Sequence, residues 1–268
     1  MNDKRSHWMR HFLLFVKGGS IFMSHERAID HFEYYQKLGN WDFDRFGIHT
    51  RSLTDWDLYE VLRSVSTPDS KILDLGTGGG EKLLANYPEC AEILGTDYSP
   101  EMIRTANENL EKSGRKNISF RVMDNHRMDV PEEYFDIVVA RHTTTDPEQI
   151  RKALKPGGYF LVRGVDKYDC WSIKLLFGGG QGFGDPVPIS IEDYENILKA
   201  GFHDVVPVPI HEQEFFKDPG SFREFLQTVP ILEGVELKEE LLEKYVAENT
   251  FNGKIRLIRA YYGITARK

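Results

Sequence analysis

The chain is poor in cysteine: its 268 residues hold two, Cys90 and Cys170. Two thiols cannot build a structural zinc site, and no CxxC pair is present. Both are expected to be buried or idle thiols in a reducing cytosol, so the expected location is cytoplasmic. No apolar run reaches the length that spans a bilayer, so no membrane partner is expected. An excess of basic residues is also missing. The net charge is -8, which argues against a large nucleic-acid surface, where a basic face is expected. Internal repeats and low-complexity tracts are absent. With 40% hydrophobic and 28% charged residues, the chain should fold as a soluble globule, either one large domain or a domain with an appendage.

HFLLFVKGGSIF follows Lys4, Arg5 and Arg10 and faintly resembles a signal peptide. Its apolar core is short, Lys17 interrupts it, and no small-residue cleavage site is clear. Met23 opens a more ordinary start. Residues 1–22 are therefore expected to be a poorly ordered or misassigned extension.

The stretch that organises the chain is KILDLGTGGGEK, Lys71 to Lys82. An apolar run with Asp74 inside it leads into Gly76-Thr77-Gly78-Gly79-Gly80 and then into a helix-compatible segment. Strand, glycine turn and helix are how an open α/β sheet builds a nucleotide-type pocket. Glycines let the backbone approach a ligand, and the helix start offers free N–H groups. A purely structural glycine turn is the alternative.

Before this stretch, residues 24–46 carry apolar residues at helical spacing, followed by the aromatic WDFDRFG. Residues 54–65 read as a second helix capped by Thr54. After it, strands at 71–75, 91–96, 117–123 and 135–140 alternate with helices. Those helices lie at 80–87, from Ser99-Pro100 to before Gly114, and at 146–154 behind Asp146-Pro147. Lys155-Pro156-Gly157-Gly158 turns into a fifth strand, YFLVRGV. Such alternation means a parallel, doubly wound sheet. Residues 178–188 read as a glycine-rich loop, and 190–200 as a helix capped by Ser190. Pro207 and Pro209 should break or edge any strand there. Residues 219–248 read as helices, and IRLIRAYYGITARK as a last long strand.

Parallel strands end on one shared edge, where ligands bind. The glycine turn, Asp97, Asp124-Asn125 and Arg141-His142 each follow a strand onto that edge. At this point the chain resembles the class I S-adenosylmethionine-dependent methyltransferases. LDLGTGGG, LGTDYS, RVMDN, FDIVVARH and LKPGG carry the resemblance over about residues 68–165, and RH…DP…LKPGG is similar to a bacterial subgroup with mostly unassigned substrates. Glu81 stands where the dinucleotide fingerprint would have its third glycine, which favours a methyltransferase over a dehydrogenase.

The resemblance implies a doubly wound, mostly parallel sheet of seven strands with helices on both faces and added lid elements. Counted from residues 71–75, the strand order would be 3-2-1-4-5-7-6. The implied layout is an N-terminal extension and helical lid (1–66), a cofactor-binding core (67–210), a helical insertion or lid (211–250) and a final core strand (251–268). The implied cofactor is S-adenosyl-L-methionine, with S-adenosyl-L-homocysteine as product. Asp74 and the backbone of Gly76, Thr77, Gly78 and Gly80 would hold its methionine part. Asp97 would take the ribose hydroxyls, Tyr98 the adenine face, Asp124 the adenine amino group and Asn125 the ring. Arg141 would face the methyl group and the acceptor.

Methyl transfer needs alignment and dryness, and a base only where the acceptor must lose a proton. His142 is the candidate base, and Arg141 could position an acidic substrate. No metal triad, NPPY-like tetrapeptide or proline-cysteine nucleophile is present. The aromatics outside the core (Trp41, Phe43, Phe46, Trp171, Phe177, Phe183, Phe215, Phe216, Phe222, Phe225) suggest a small, partly apolar acceptor methylated on O or N. Deleting residues 24–46 should then abolish turnover more than cofactor binding. An RNA or protein acceptor, or a catalytically silent cofactor-binding protein, are the alternatives. A monomer or homodimer is expected.

Overall fold

The computed structural model of the chain describes residues 46–268. The expected helix over residues 24–46, Tyr34, Tyr35, Trp41, Phe43 and the 1–22 extension lie outside the described residues. Among the described residues, no helix is long and apolar enough to cross a membrane.

Five strands run parallel in the spatial order β4 (Ile118–Val122), β3 (Glu92–Asp97), β2 (Lys71–Leu75), β5 (Phe135–Arg141) and β6 (Leu154–Val165). Next to β6 lies β9 (Lys254–Arg267), antiparallel to it, and beside β9 lies β7 (His203–Phe216), antiparallel again. Counted from β2, these seven strands stand in the expected order. Two short strands add to them: β1 (His49–Ser52) pairs the outer edge of β7, and β8 (Thr250–Phe251) pairs the start of β9. The described sheet therefore has nine strands rather than seven, and only the five at one end, β6 to the edge strand β4, are parallel.

Burial explains the layers. In β2, four of five residues are buried, as a strand covered on both faces requires. On one face, Leu58 and Leu62 of α1 (Leu58–Val65) and Leu83 of α2 (Glu81–Asn86) pack on Ile72, Ile137, Val139 and Leu161, with Leu110 of α3 (Pro100–Ser113) at the margin. On the other face, Ile150 and Ala153 of α4 (Pro147–Ala153) and Ile197 of α6 (Ile189–Lys199) pack on Leu73, Val138, Phe160 and Ile264. Asp136 and Lys155, from the FDIVVA and LKPGG blocks, are a structural pin: Lys155 Nζ lies 2.8 Å from a carboxylate that also accepts the Lys71 N–H at 2.9 Å.

Ser99 and Asp146 cap α3 and α4 through their side chains, each followed by proline. Two expected caps are corrected. Asp57, not Thr54, caps α1, accepting from the Tyr59 and Glu60 N–H groups at 2.9 Å; its carboxylate stands directly before Leu58, whose burial sets the helix phase. The Thr54 hydroxyl instead accepts the His211 N–H at 3.1 Å. Ser190 lies inside α6, which starts behind Pro188 with no side-chain cap.

The expected break at Pro207 and Pro209 is also corrected, because β7 runs unbroken for 14 residues. Both prolines have the parity of His211, whose N–H points outward to Thr54. Their missing N–H groups would face the open edge, where β1 pairs only residues 212–215, so the β9 ladder loses no bond.

The far halves of β7 and β9 project past the end of β6 and carry a third core. It gathers α5 (Trp171–Phe177), α7 (Pro219–Thr228), a 3-10 turn (Pro230–Leu232) and α8 (Glu239–Asn249). Phe216 meets Phe222 and Phe225 at 4.9 Å, and Phe46 meets Phe225 edge-on at 5.6 Å. These four rings, grouped by sequence with the acceptor-lining aromatics, are consumed by packing on one another. The boundary expected at residue 210 falls inside β7.

Candidate active site

Every segment expected to face a ligand lies at the carboxyl edge of the parallel sheet. Asp74, still within β2, is buried and accepts from the Tyr87 hydroxyl. Burial raises its carboxyl to about 6, against the pull of the Tyr87 hydroxyl and the charge of Arg141. The chain then turns at Gly76, whose φ of +70° and closeness to Thr143 exclude a side chain: a Cβ there would lie 2.7 Å from the Thr143 Cβ. At Gly78, also left-handed at +58°, a Cβ would meet nothing within 4 Å. The turn is thus packed at its base and open at its crest.

Asp97 ends β3 beside the turn. Its Oδ2 accepts the Gly78 N–H at 2.9 Å and its Oδ1 the Ser99 N–H at 2.9 Å. Burial raises its carboxyl, opposed by the Ser99, Gly78 and Tyr98 backbone groups. Tyr98 stands exposed next to it. Asp124 turns the chain after β4, its Oδ1 accepting the His126 N–H at 2.8 Å. Asn125 reaches across to the segment after β5, donating to Thr143 Oγ1 at 3.0 Å and the Thr144 carbonyl at 3.2 Å.

Arg141 ends β5 and lies directly opposite Arg163 of β6. Next to it His142 adopts a left-handed φ of +54°, uncommon for any residue with a side chain. It is pinned by its N–H to the Arg163 carbonyl at 2.8 Å and by its ring against Tyr261 at 5.4 Å. The imidazole is reachable by solvent yet set deep among protein atoms. That desolvation, with the charges of Arg141, Arg163 and Arg259, holds its pKa well below the ordinary range. His142 is therefore neutral at physiological pH.

The structure thus brings Asp74, the glycine turn, Asp97, Asp124, Asn125, Arg141 and His142 to one edge, with Asp124 Oδ1 engaged in its own turn. It adds residues that sequence reading missed. Tyr59 of α1 was legible only as part of an apolar stripe. Arg163 bonds Glu212 at 2.7 Å and lies over Tyr261. Arg259 is buried, bonded to Asp169 at 2.9 and 3.0 Å and to Glu214 at 2.9 and 3.1 Å. A charged residue inside the apolar IRLIRAYY strand was its one sequence signal. A cavity of about 350 Å³ opens alongside, lined by Ser52, Trp56, Asp57, Glu60, Arg163 and Glu212. Trp56 is seated over Gly263, where any Cβ would come within 2.7 Å of the indole.

Four buried polar atoms on this edge have no hydrogen-bond partner among the described residues: the Tyr59 hydroxyl, Thr77 Oγ1, Asn125 Oδ1 and Arg141 Nε. Buried polar groups are ordinarily satisfied. Orphans grouped beside an open glycine crest fit a polar ligand carrying both donors and acceptors. Among the described residues, no group of three or more His, Cys, Asp or Glu could hold a metal ion.

An open, doubly wound sheet with such an edge defines a Rossmann-like ligand-binding domain. The family described as "Methyltransferase domain" matches residues 66–177. An uncharacterized methyltransferase, YcgJ of Bacillus subtilis, is 31% identical over 107 residues, 37% of this chain and 42% of that protein. The ribosomal protein L11 methyltransferase of Listeria innocua is 33% identical over 125 residues, 45% of this chain and 40% of that protein. The chain thus spans about two fifths of the length of these curated relatives. A functionally unknown protein from Deinococcus radiodurans shares the fold, with a TM-score of 0.56 and 16% identity over 88% of this chain and 99% of that one. Residues 66–177 are thus similar to methyltransferase domains in sequence, and the fold around them is of the Rossmann-like class.

Proposed function

We propose that the protein is an S-adenosylmethionine-dependent methyltransferase acting on an O or N atom of a small molecule. The observation that carries this reading is the convergence of the open Gly76–Gly80 turn, Asp97, Asn125 and Arg141 on one strand edge, within the segment matched by the methyltransferase family.

When bound, the cofactor supplies an electrophilic methyl group on a sulfonium. Asp74 and the turn backbone hold its methionine end, Asp97 its ribose hydroxyls, and Tyr98, Asp124 and Asn125 its adenine. Asp97, whose carboxylate accepts the Gly78 and Ser99 N–H groups beside the crest, would take the sugar hydroxyls with its remaining lone pairs. Arg141 orients the acceptor. His142, held neutral by burial and by its arginine neighbours, would take the proton that an acceptor hydroxyl or neutral amine gives up on accepting the methyl group. The low pKa makes it a weak base, so most of the rate comes from alignment and exclusion of water. The expected lid segments, residues 1–66 and 211–250, would supply this exclusion.

The test is methyl transfer from labelled S-adenosylmethionine into cell extract split into small-molecule, RNA and protein fractions. Label is expected in the small-molecule fraction, and His142→Ala should lower the rate by about 10²-fold. Label in RNA or protein alone moves the acceptor to that class.

A further inference from the structure

We infer that the methyl acceptor is an organic anion whose carboxylate or phosphate group is held by Arg141 and Tyr59, with Arg163 behind them. This rests on the methyltransferase reading. Arg141 and Arg163 are direct neighbours across β5 and β6, so both project from the same face of the sheet. Like charges placed directly opposite repel. Arg163 is answered by Glu212 at 2.7 Å, and Arg259, deeper on the same side, by Asp169 and Glu214. Arg141 has no ion-pair partner among the described residues, and its Nε is a buried donor with no acceptor.

Tyr59 reaches the same place from α1. Its hydroxyl is buried without a partner and lies in the field of Arg141, Asp74 and Arg163. A planar anion with several lone pairs satisfies both orphan donors at once. The charges that bear on His142 are all guanidinium groups, so a cationic acceptor would be repelled from the position beside the base. Of the acids that line the adjoining cavity, Asp55, Asp57 and Glu60 are exposed at its rim, where water screens them, and Glu212 is paired with Arg163.

Benzoate, benzamide and benzamidinium share one shape and differ in charge. They are titrated into the full chain saturated with S-adenosylhomocysteine, which occupies the cofactor's own carboxylate position. Benzoate is expected to bind in the millimolar range, at least about fivefold more tightly than benzamide, with benzamidinium weakest. Arg141→Gln should weaken benzoate about tenfold, and Tyr59→Phe about threefold, each changing S-adenosylhomocysteine affinity by less than about threefold. Tyr59→Phe removes only an unpartnered hydroxyl, so it keeps the test open should the arginine variant fail to fold. Equal binding of the three probes, including none measurable, overturns the inference, as does tighter benzamidinium. Loss of S-adenosylhomocysteine binding in Arg141→Gln with benzoate unaffected also overturns it, assigning the arginine to the cofactor. Failure of the wild type to bind S-adenosylhomocysteine is a distinct result that removes the methyltransferase reading itself.

Discussion

Asp74 shows how the site charges its residues for their position. Its carboxyl is raised to about 6 from an ordinary 3.8, chiefly by burial. A folded-state pKa above the unfolded one means that the native protein binds the proton more tightly. The resulting stabilisation is complete below about pH 3.8 and is lost as pH rises through 6, on the order of 3 kcal/mol for two units. Asp193, bonded by Tyr262 and also raised to about 6, acts with the same sign. Urea unfolding at pH 4 and pH 7 should show Asp74→Asn losing less stability across this window than the wild type, while keeping the part due to Asp193. Identical pH slopes would show that Asp74 ionises normally in the fold. His142 is the opposite case: it is held neutral, so turnover should not fall as pH drops through 6.5 on its account.

At the scale of elements, the glycine turn is the sharpest case. Gly76 and Gly114 share nearly the same left-handed backbone, φ +70° and +71°, but a Cβ at Gly76 strikes Thr143 whereas at Gly114 it meets nothing within 4 Å. Gly114→Ala should cost about 1 kcal/mol from backbone conformation alone. Gly76→Ala should cost about 1–3 kcal/mol beyond that, since Thr143 must shift and with it the Asn125 bond. Thermal unfolding of both variants separates the two contributions, and equal costs would show that the close contact is without consequence. The elements were legible in the sequence where local rules agreed: the apolar run of β2, Ser99-Pro100 and Asp146-Pro147 as starts, Gly114 as a stop. They were not where tertiary pairing decides. All four residues of β1, HTRS, are exposed, and no apolar alternation marks them as a strand. They pair only because β7 offers an open edge. The length of β7 was hidden for a related reason, since two prolines forbid a central strand but not an edge whose inner ladder they leave intact.

At its far end the described part of the molecule sets a buried charge cluster beside an apolar core. Arg259 joins residues 90 and 45 positions away in sequence, Asp169 and Glu214, where the sheet passes into the third core. Such distances explain why the site was only half legible. Residues that follow a strand, such as Asp97 and Arg141, announce their place at the carboxyl edge. Arg163, Glu212, Tyr261 and Arg259 meet only once β6, β9 and β7 are in register. Removing one member of a buried ionic group leaves uncompensated charge. Arg259→Met should therefore cost about 3–5 kcal/mol, and adding Asp169→Asn and Glu214→Gln should recover part of it. Urea unfolding of the single and triple variants reads this, and a triple variant no better than the single would show that packing, not charge, is what Arg259 supplies.

The central claim is that this sheet edge binds S-adenosylmethionine, and calorimetric titration with S-adenosylmethionine and S-adenosylhomocysteine tests it most directly. One molecule per chain should bind with a dissociation constant of about micromolar order, and Asp97→Ala should weaken it at least about tenfold by removing the ribose acceptor. No heat from either ligand in the wild type, or full affinity in Asp97→Ala, would contradict it.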